Sequence, residues 1–426
     1  MTYEDSIFVR SFGQHELKKL GSGALLLFFI MAFTICTIFK LPVYSQVDLV
    51  KPVHNFSNSR SDVYEINGDI RIHSNSSTIF VAPSFHAEIT SSWTIKPYAR
   101  KQKETKIERV REWKVKYHQV PNCSRRFTIP AVLFSTGAYS GNYFHAFTDI
   151  IIPLYLTCRQ FNGKIIFLIT DNYSWWVSKY NVILEKLSKY DVVDIDKEND
   201  VLCFSRMIVG LKSNKEFGID PRVSPHYSIK DFRQFLRITY SLEKETISPC
   251  HKKFGIIRRP RMLIISRRKK RHLTNESGVA KMARTMGFDV VVKEMGSNVS
   301  LVAHFVNSFD VMMGLHGAGL TNMIFLPENA VVIQIVPFGL DVASDIYFGL
   351  PARDMKLRYL EYKVSLNESS LLGKYPNDSE VYRDPRAIHK RGWAAFYFTY
   401  AFNQEVNLDL GRLRATLVHA FELVCS

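Results

Sequence analysis

The sequence predicts an α/β protein, with two doubly wound domains facing each other across a crevice and a transmembrane helix ahead of them. Three observations predict this fold. Short apolar runs rich in β-branched residues alternate with segments of helical length. The 426 residues, 46% of them hydrophobic, suffice for about two domains at roughly 150 residues each. A single long uncharged run lies near the start.

The uncharged run, residues 21–39, is close to the roughly 20 residues that cross a bilayer core as a helix. Arg10, Lys18 and Lys19 precede it, so the positive-inside rule predicts a cytosolic tail at 1–20 and the remainder on the other side. A cleaved signal peptide is the rival interpretation. The run is longer than an h-region of about 7–15 residues, and no A-x-A-like site follows it. We therefore expect a signal anchor, followed by a polar stem at 40–60.

Several features beyond the anchor are typical of a secreted or lumenal chain. The N-x-[ST] pattern recurs, as expected in the secretory lumen. Of six cysteines, Cys36 lies in the anchor, so an odd number remains and at least one is unpaired within the chain. The net charge of +16 favours phosphates, anionic lipids or acidic polysaccharides; a lumenal position excludes nucleic acid. The acceptor asparagines are Asn55, Asn75, Asn122, Asn172, Asn275, Asn298, Asn367 and Asn377.

The first domain is predicted at 61–250. Its strands are predicted at 130–135, 164–169, 191–195 and 206–211. Segments of helical length lie at 145–161 and 175–189, and Pro153 is expected to kink or shorten the first of them. This alternation favours a parallel sheet with helices on both faces.

The second domain is predicted at 251–426 and repeats the alternation. Its strands are predicted at 261–266, 289–293, 310–315 and 330–336. Helices are predicted at 275–286, which Asn275 could cap, at 299–306 and at 410–423. In doubly wound folds ligands bind at the carboxyl ends of the strands. Residues that follow the strands are therefore the candidates for a site.

The stretch GLHGAGLTN, Gly314 to Asn322, follows one of these strands. Gly317 and Gly319 let a ligand approach the backbone closely. A helix that begins near Leu320 would direct its free N–H groups at a phosphate or diphosphate. The alternative is a tight turn that needs small residues for helix-on-sheet packing, and spacing does not separate the two. The stretch is not a G-x-G-x-x-G fingerprint, and packing leaves His316 unexplained.

The stretch ISRRKKR follows another strand of the same half. A guanidinium at that strand end can hold a diphosphate as a bidentate donor, which selects Arg267. Lys269, Lys270 and Arg271 are interpreted as a solvated basic loop.

The third candidate is GNYFHAFTD, Gly141 to Asp149, directly after the loop GAYSG. His145 and Asp149 stand four residues apart, so on a helix they share one face and would point into the crevice. A base there could activate a sugar hydroxyl. The alternative makes Asp149 a helix-start charge and His145 a satisfied core group.

Other chemistry has weaker support in the sequence. Asp194 and Asp196 spell D-x-D, which could hold a divalent metal, but the surrounding charges indicate a solvated acidic turn, and no metal site is predicted. No G-x-S-x-G, H-E-x-x-H or paired C-x-x-C is present. Hydrolase and zinc functions therefore lack a signal.

In combination, these stretches resemble the plant family 61 glycosyltransferases. The likeness covers nearly everything after the stem, with the motifs in order. The motifs are GDIRIHSNSSTIF (68–80), KPYARK (96–101), GNYFHAFTD (141–149), PRMLIISRR (260–268), GLHGAGLTNMIFLP (314–327) and PARDMKLRYLEY (351–362).

The resemblance implies a single-pass type II Golgi membrane enzyme with the GT-B architecture of two Rossmann-like domains. Domain 61–250 would be the acceptor side and 251–426 the nucleotide-sugar side. Such an enzyme transfers a pentose from a UDP-sugar to a glycan with inversion, and similar plant members add xylosyl or arabinofuranosyl branches to xylan. GT-B enzymes usually work without a bound metal, so no cofactor is expected beyond the UDP-sugar substrate.

By position, His316, Gly317, Ala318, Gly319 and Arg267 match donor-side motifs, and His145 and Asp149 match the acceptor-side motif. We hypothesise an in-line displacement in which His145 or Asp149 takes the proton of the acceptor hydroxyl. Arg267 and the N–H groups from Gly317 to Leu320 would stabilise the leaving UDP.

Two departures from the family pattern bear on this hypothesis. Tyr64 stands where many relatives have a cysteine, which would leave its partner, with Cys123 as the candidate, unpaired. Ala146 stands where many relatives have an acid, so that role would fall to Asp149 or be absent. The alternatives are a catalytically silent lumenal glycan-binding protein, a transferase acting on N-glycans, and a membrane-tethered scaffold.

Overall fold

The computed structural model describes residues 53–82, 92–101, 105–117, 120–250, 252–253, 256–268, 271–402 and 404–425. Residues 52–426 form one compact unit. The predicted cytosolic tail, the apolar run at 21–39 and most of the predicted stem lie outside the described residues. Within the described part, no helix combines the length and apolar character needed to cross a bilayer.

The first sheet is built by ten strands of the first half. They are β1 Val53–Asn55, β2 Tyr64–His73, β3 Thr78–Val81, β4 Ser92–Ile95, β5 Trp113–Tyr117, β6 Arg125–Phe127, β7 Ala131–Ser135, β8 Ile166–Thr170, β9 Val193–Asp194 and β10 Leu202–Val209.

The strand order of this sheet is β4-β5-β3-β2-β10-β7-β8-β9. The part β10-β7-β8-β9 is parallel, as predicted. The sheet is extended by antiparallel strands that were not predicted: β2 joins β10 antiparallel and continues into an antiparallel hairpin with β3. Buried and half-exposed residues alternate along β2, which is the pattern of a strand covered on one face. No strand was predicted in this segment.

Three sections of helix surround the parallel part of this sheet. A helical stretch from Tyr143 to Phe161 follows β7, a long helix follows β8, and another precedes the second half. The α-helices of the first half are α1 Thr105–Glu108, α2 Tyr143–His145, α3 Ile152–Cys158, α4 Ser174–Leu187 and α5 Ile229–Thr239. The π-helical turn Ala146–Ile151 joins α2 to α3, and α3 runs into the 3₁₀ turn Arg159–Phe161.

The second sheet has five strands and is parallel throughout. The strands are β13 Arg261–Ile265, β14 Asp289–Lys293, β15 Val311–Leu315, β16 Val331–Val336 and β17 Arg358–Lys363; a two-residue pair, β11 Lys252–Lys253 and β12 Ile256–Ile257, precedes them. The order β14-β13-β15-β16-β17 reverses direction between β13 and β15. Doubly wound sheets bind ligands at such a reversal.

The helices of the second half confirm the predicted alternation. The α-helices are α6 Glu276–Thr285, α7 Val299–Asn307, α8 Asp341–Ser344, α9 Leu350–Asp354, α10 Glu380–Arg383, α11 Pro385–Lys390, α12 Trp393–Phe396 and α13 Leu410–Cys425. The expected cap of α6 by Asn275 is wrong, because the Asn275 side chain hydrogen-bonds the backbone of Leu408 instead.

The two halves pack directly on each other. Arg233 of α5 is buried, and its guanidinium donates to the backbone carbonyls of Ile324, Leu326 and Met355 in the second half. Burial lowers the pKa of Arg233 to about 10. The limits of the two predicted domains stay a prediction.

The cysteines of the described residues form two disulfides, Cys123–Cys203 and Cys250–Cys425. The expectation that Cys123 is unpaired is therefore wrong. Of the five cysteines that the structure describes, Cys158 in α3 is unpaired and buried, which accords with the odd count. Cys250–Cys425 ties the end of α13 to the segment between the two sheets.

Candidate active site

A cavity of about 340 Å³ lies where the two halves meet. One wall follows β7 and carries Tyr139, Asn142 and His145; the other follows β15 and carries His316, Gly317 and Ala318. Both walls follow strand carboxyl ends at points where the strand order reverses, β10-β7 in the first sheet and β13-β15 in the second. The cavity thus occupies the place where doubly wound sheets bind ligands.

On the first wall, His145 and Asp149 form a hydrogen-bonded pair. His145 Nδ1 lies 2.8 Å from Asp149 Oδ2. The His145 side chain is 23% exposed and Asp149 is fully buried, so only the imidazole reaches the cavity. Because Nδ1 is engaged by the carboxylate, Nε2 is the nitrogen that can act on a bound molecule.

The pair sits at the start of a π-helical turn. Asn142 caps α2 by accepting the N–H of Phe144, and the turn Ala146–Ile151 follows at once. Pro153 has no N–H for the carbonyl four residues before it, that of Asp149, so regular α-helix cannot continue through this point. Pro153 was expected to kink or shorten the helix; the helical stretch instead continues through it, with the π-helical turn directly before Ile152. Such π turns are frequent at functional sites.

Asp149 is held by groups from two distant segments. Arg100 donates to its carboxylate from Nε at 3.0 Å and Nη2 at 2.8 Å, and Tyr98 donates at 3.0 Å. Arg60 adds a contact at 3.2 Å. Burial on its own would raise the pKa of Asp149, but the hydrogen bond with His145 and the Arg100 charge outweigh it and leave the pKa below its ordinary value.

The supporting arginines are themselves paired. Glu216 accepts from Arg100 at 2.6 Å and also binds Arg60. Asp149 and Glu216 therefore balance the charge of Arg60 and Arg100 inside the protein. This network fixes the carboxylate that orients His145.

On the second wall, the turn after β15 leads into the expected helix, which is the 3₁₀ helix Ala318–Phe325. The N–H of His316 pairs with Ile335 and that of Leu320 with Gly317, at 2.9 Å in both cases. The amide of Leu320 is therefore used within the turn and is not open to a ligand, contrary to expectation. Gly317, Ala318 and Gly319 are the positions whose N–H groups precede the first turn.

The two glycines of this turn serve different purposes. Gly317 has φ of 146°, and a Cβ there would lie 2.4 Å from Nη1 of Arg267. A Cβ on Gly319 would instead lie 3.2 Å from Cγ2 of Ile265. Gly317 thus lets a guanidinium approach the turn, whereas Gly319 serves helix-on-sheet packing.

Two arginines meet at this turn. Arg267 and Arg271 both donate to the carbonyl of His316, at 3.3 and 3.1 Å. Neither forms a salt bridge with a described residue, and the Nε of Arg271 is buried without a partner. Burial lowers the pKa of both, and that of Arg271 falls to about 10 with the Arg267 charge as a second cause. Two half-buried guanidiniums that form no salt bridge with a described residue favour a site for an anion.

The interpretation of Arg271 as part of a solvated loop is wrong, since it lines the cavity. Arg267 contacts the turn at the carbonyl of His316 and is not among the residues that line the cavity. The sequence signal was the run of basic residues, which does not by itself tell which cation folds inward.

His316 is buried at the same turn. Gln334 Nε2 lies 2.7 Å from its Nδ1. Burial, with Arg271 and Arg267 nearby, lowers the pKa of His316 to about 3, so the ring is neutral at ordinary pH. The packing interpretation had left this histidine unexplained, and the structure gives it a polar partner and a place on the cavity wall.

The rest of the cavity is apolar and aromatic. Two further π-helical turns, Asp345–Gly349 and Tyr397–Ala401, contribute to it. Tyr397 stacks on Trp393 with ring centroids 5.8 Å apart. The described lining residues include no Asp or Glu. An aromatic wall beside an anion site suits a ligand with both a planar or sugar face and a phosphate.

The D-x-D residues lie elsewhere. Asp196 accepts from Arg111, from Thr170 and from the N–H of Asp171, and Asp194 pairs with Lys197 at 3.0 Å. Neither lines the cavity. Among the described residues there is no group of three or more His, Cys, Asp or Glu placed to hold a metal ion.

Several residues of the site were missed from the sequence. Arg60 belongs to the segment predicted as stem, and Tyr98 and Arg100 belong to KPYARK, which was used only for its resemblance. Glu216 and Gln334 carried no motif. The first three approach Asp149 from 49 to 89 positions away along the chain, and local spacing cannot show such contacts.

Comparison with known proteins bears on both walls of the cavity. A family model described as Glycosyltransferase 61 matches residues 143–333, a span that begins just before His145 and ends just before Gln334. An alpha-1,3-arabinosyltransferase of Oryza sativa subsp. japonica is 43% identical over 377 residues, covering 87% of this chain and 65% of its own.

Two further relatives extend this likeness. A beta-1,2-xylosyltransferase of Oryza sativa subsp. japonica is 39% identical over 407 residues, covering 89% of this chain and 87% of its own. A xylan glycosyltransferase of Arabidopsis thaliana is 36% identical over 384 residues, covering 85% and 77%. The chain spans 65% and 64% of the length of the two rice arabinosyltransferases that it matches.

Proposed function

The chain belongs to glycosyltransferase family 61, and from that premise we propose that it transfers a pentose, xylose or arabinofuranose, from a UDP-sugar to a cell-wall glycan, xylan. Relatives named as arabinosyltransferases, xylosyltransferases and a xylan glycosyltransferase support the sugar and the acceptor. The observation that carries the proposal is the cavity in which a histidine–aspartate pair faces an anion site.

His145 is the general base in this proposal. Asp149 is fully buried and its oxygens are occupied by Arg100, Tyr98 and His145, so it cannot reach an acceptor hydroxyl. An ionised carboxylate at Nδ1 keeps the proton on that nitrogen and leaves the lone pair on Nε2 to accept the hydroxyl proton. Asp149 positions the base and stabilises the imidazolium that forms.

Arg271, Arg267 and the amides of Gly317 and Ala318 receive the leaving diphosphate. As the bond from the anomeric carbon to the diphosphate oxygen breaks, negative charge grows on UDP, and desolvated donors aimed at that charge stabilise it. The buried, unpartnered Nε of Arg271 is available for this role. We propose that these cations take the place that a metal ion has in other nucleotide-sugar enzymes.

A single displacement with inversion fits this set of residues. Retention by two displacements needs a carboxylate nucleophile beside the anomeric carbon. The described lining holds no Asp or Glu, and Asp149, which contacts His145 from behind, is enclosed by arginines. With one base on the acceptor side, the hydroxyl attacks the face opposite the diphosphate.

A catalytically silent protein is the rival, suggested by Ala146. Ala146 is fully buried in the core and does not line the cavity. The pair His145–Asp149 is complete without an acid at that position. This geometry favours turnover over a purely glycan-binding role.

We further propose that the enzyme is a type II membrane protein of the Golgi with its catalytic part in the lumen. The apolar run at 21–39, the two disulfides and the glycosylation sequons support this topology. Six of the eight acceptor asparagines are exposed and none is buried.

The decisive experiment is a donor screen on purified protein of residues 46–426. UDP-xylose, UDP-arabinofuranose and UDP-N-acetylglucosamine are each supplied with xylan oligosaccharides, and UDP release is measured together with the linkage and anomeric configuration of the product. We expect release with one UDP-pentose and an inverted linkage. UDP binding without release from any donor would support the silent protein, and a retained configuration would contradict the single displacement.

A further inference from the structure

A chain of hydrogen bonds lies behind His316 and has no part in the mechanism above. Gln334 of β16 is fully buried, and its Nε2 lies 2.7 Å from Nδ1 of His316. Its Oε1 accepts from the hydroxyl of Tyr359 at 2.9 Å. Tyr359 in turn lies 3.0 Å from Oε2 of Glu361. The chain thus runs from the cavity wall through β16 to β17.

The hydrogen-bond partners of Tyr359 and Gln334 determine which nitrogen of the His316 ring carries the proton. The hydroxyl of Tyr359 lies between two acceptors, Oε1 of Gln334 and Oε2 of Glu361, so its one proton is shared between them. With Oε1 of Gln334 turned to Tyr359, the amide N–H₂ of Gln334, which can only donate, faces Nδ1 of His316. Nδ1 is then an acceptor, and the ring proton lies on Nε2.

We propose that Gln334 is a positioning residue that fixes the tautomer of His316, so that Nε2–H donates to the diphosphate of the nucleotide-sugar. This inference rests on the proposed function and deepens it. His316 lines the same cavity as Arg271 and Gly317, and with Nδ1 turned to the buried Gln334, Nε2 is the nitrogen left for a ligand.

The tautomer matters because His316 is neutral. With a pKa near 3, the ring carries one proton between about pH 5 and pH 8, and only one nitrogen can donate. An N–H toward a diphosphate attracts it, whereas a lone pair repels it. The charged and titratable groups around the ring are Arg267, Arg271, Tyr347, Tyr359, Tyr397 and Glu361, with His145 and Arg100 on the opposite wall.

The test replaces Gln334 with two residues of similar size. Gln334→Glu accepts a hydrogen bond where glutamine donates, so it draws the proton to Nδ1 and leaves the lone pair of Nε2 facing UDP. Gln334→Met removes the donor without adding charge and serves as the matched control. The full chain in detergent is titrated with UDP by calorimetry between about pH 5.5 and pH 8, and each dissociation constant is divided by that of the wild type, which cancels the titration of UDP itself.

We expect Gln334→Glu to weaken UDP binding by about tenfold or more at the alkaline end and less at the acid end, where the introduced carboxylate can hold an imidazolium that donates from both nitrogens. Gln334→Met should weaken binding by a smaller factor that does not change with pH. The inference would be overturned if the dissociation constants of both variants for UDP exceeded that of the wild type by the same factor and this factor did not change with pH.

A second measurement does not depend on UDP. In protein labelled with ¹⁵N-histidine, the imidazole shifts of His316, assigned with His316→Asn, should report the Nε2–H tautomer in the wild type and change in Gln334→Glu. An Nδ1–H tautomer in the wild type would overturn the inference even if UDP binds. Absence of UDP binding with the Nε2–H tautomer present would contradict the proposed function and leave the positioning of His316 by Gln334 supported.

Discussion

At the residue scale, His145 and Asp149 show how burial separates two side chains that spacing treats alike. Both lie on one face of a helical stretch, and the sequence left open which is the base. Asp149 is enclosed by two guanidiniums and a tyrosine hydroxyl, while the imidazole reaches the cavity. A base must contact its substrate, so access decides between them.

We predict that His145→Ala lowers turnover by about 10²–10⁴-fold with little change in UDP affinity or melting temperature, because the ring is partly exposed and its loss leaves Asp149 with three other donors. Turnover is measured as UDP release with saturating acceptor.

The comparison variant is Asp149→Asn, which has a different signature. It removes the charge that pairs with Arg60 and with the buried Arg100, and breaking a buried pair costs about 3 kcal/mol or more. Both turnover and stability toward urea should fall. Loss of stability in His145→Ala, or full turnover in either variant, would contradict these roles.

The lowered pKa of Asp149 also sets a pH dependence of stability. A carboxyl whose folded pKa lies below its unfolded value near 3.9 contributes stability above that value and loses it as the pH falls through the folded pKa. We expect the difference in unfolding free energy between wild type and Asp149→Asn to be constant from about pH 5 upward and to shrink below about pH 4. Urea unfolding at several pH values measures it; a difference that grows toward acid would be contrary to the sign of this pKa shift.

At the element scale, the turn between β15 and the 3₁₀ helix combines packing with ligand binding. Gly314 and Gly319 are close to Leu320 and Ile265, so they serve the contact of helix and sheet. Gly317 is different, since its positive φ and the nearby Arg267 both require a residue without a Cβ. The packing and anion-binding interpretations of this turn are thus both supported, at different glycines.

Gly317→Ala should fold but bind UDP at least about tenfold more weakly, since the new Cβ displaces the guanidinium of Arg267. The left-handed backbone adds a cost of about 1–3 kcal/mol in stability. Gly296→Ala is the matched control in the same half, because a Cβ there meets no atom within 4 Å. Calorimetric titration with UDP gives the affinities, and wild-type affinity in Gly317→Ala would show that Arg267 does not hold the diphosphate.

At the scale of the whole molecule, the covalent and buried polar contacts tie distant segments into one unit. Cys250–Cys425 closes 175 positions, and Arg233 joins α5 to three carbonyls of the second half. Phe144 and Phe147 of the first half pack against Phe348 and Phe325 of the second. The wall that carries His145 is therefore held against the other half by apolar contacts as well.

Peptide mapping of protein expressed through the secretory pathway should find Cys123–Cys203 and Cys250–Cys425, with Cys158 as a thiol that is alkylated only after denaturation. Cys250→Ser should lower the free energy of unfolding by about 2–4 kcal/mol, because the loop it releases is long.

In the same material Asn275 should carry no glycan, since both ends of its side-chain amide bind Leu408. A glycan at Asn275, or any other cysteine pairing, would contradict this structure.

The sequence by itself determined the features that depend on neighbouring residues. The strands β13, β14, β15 and β16, the helices α4, α6, α7 and α13, and the turn after β15 follow from apolar periodicity and small residues within a short window. His145, Asp149, His316 and Gly317 could be selected because each follows a predicted strand, and the carboxyl ends of parallel strands meet at one edge of a sheet.

Only the tertiary structure decided which groups complete the site. Arg60, Arg100 and Glu216 surround Asp149 from remote parts of the chain, Arg271 lines the cavity beside the turn, and Gln334 reaches His316 from the next strand. The physical reason is that periodicity reports what one element buries, whereas the burial of a charge depends on partners that only packing brings together. The antiparallel addition of β2 to the first sheet and the pairing of Cys123 with Cys203 were decided by the same long-range packing.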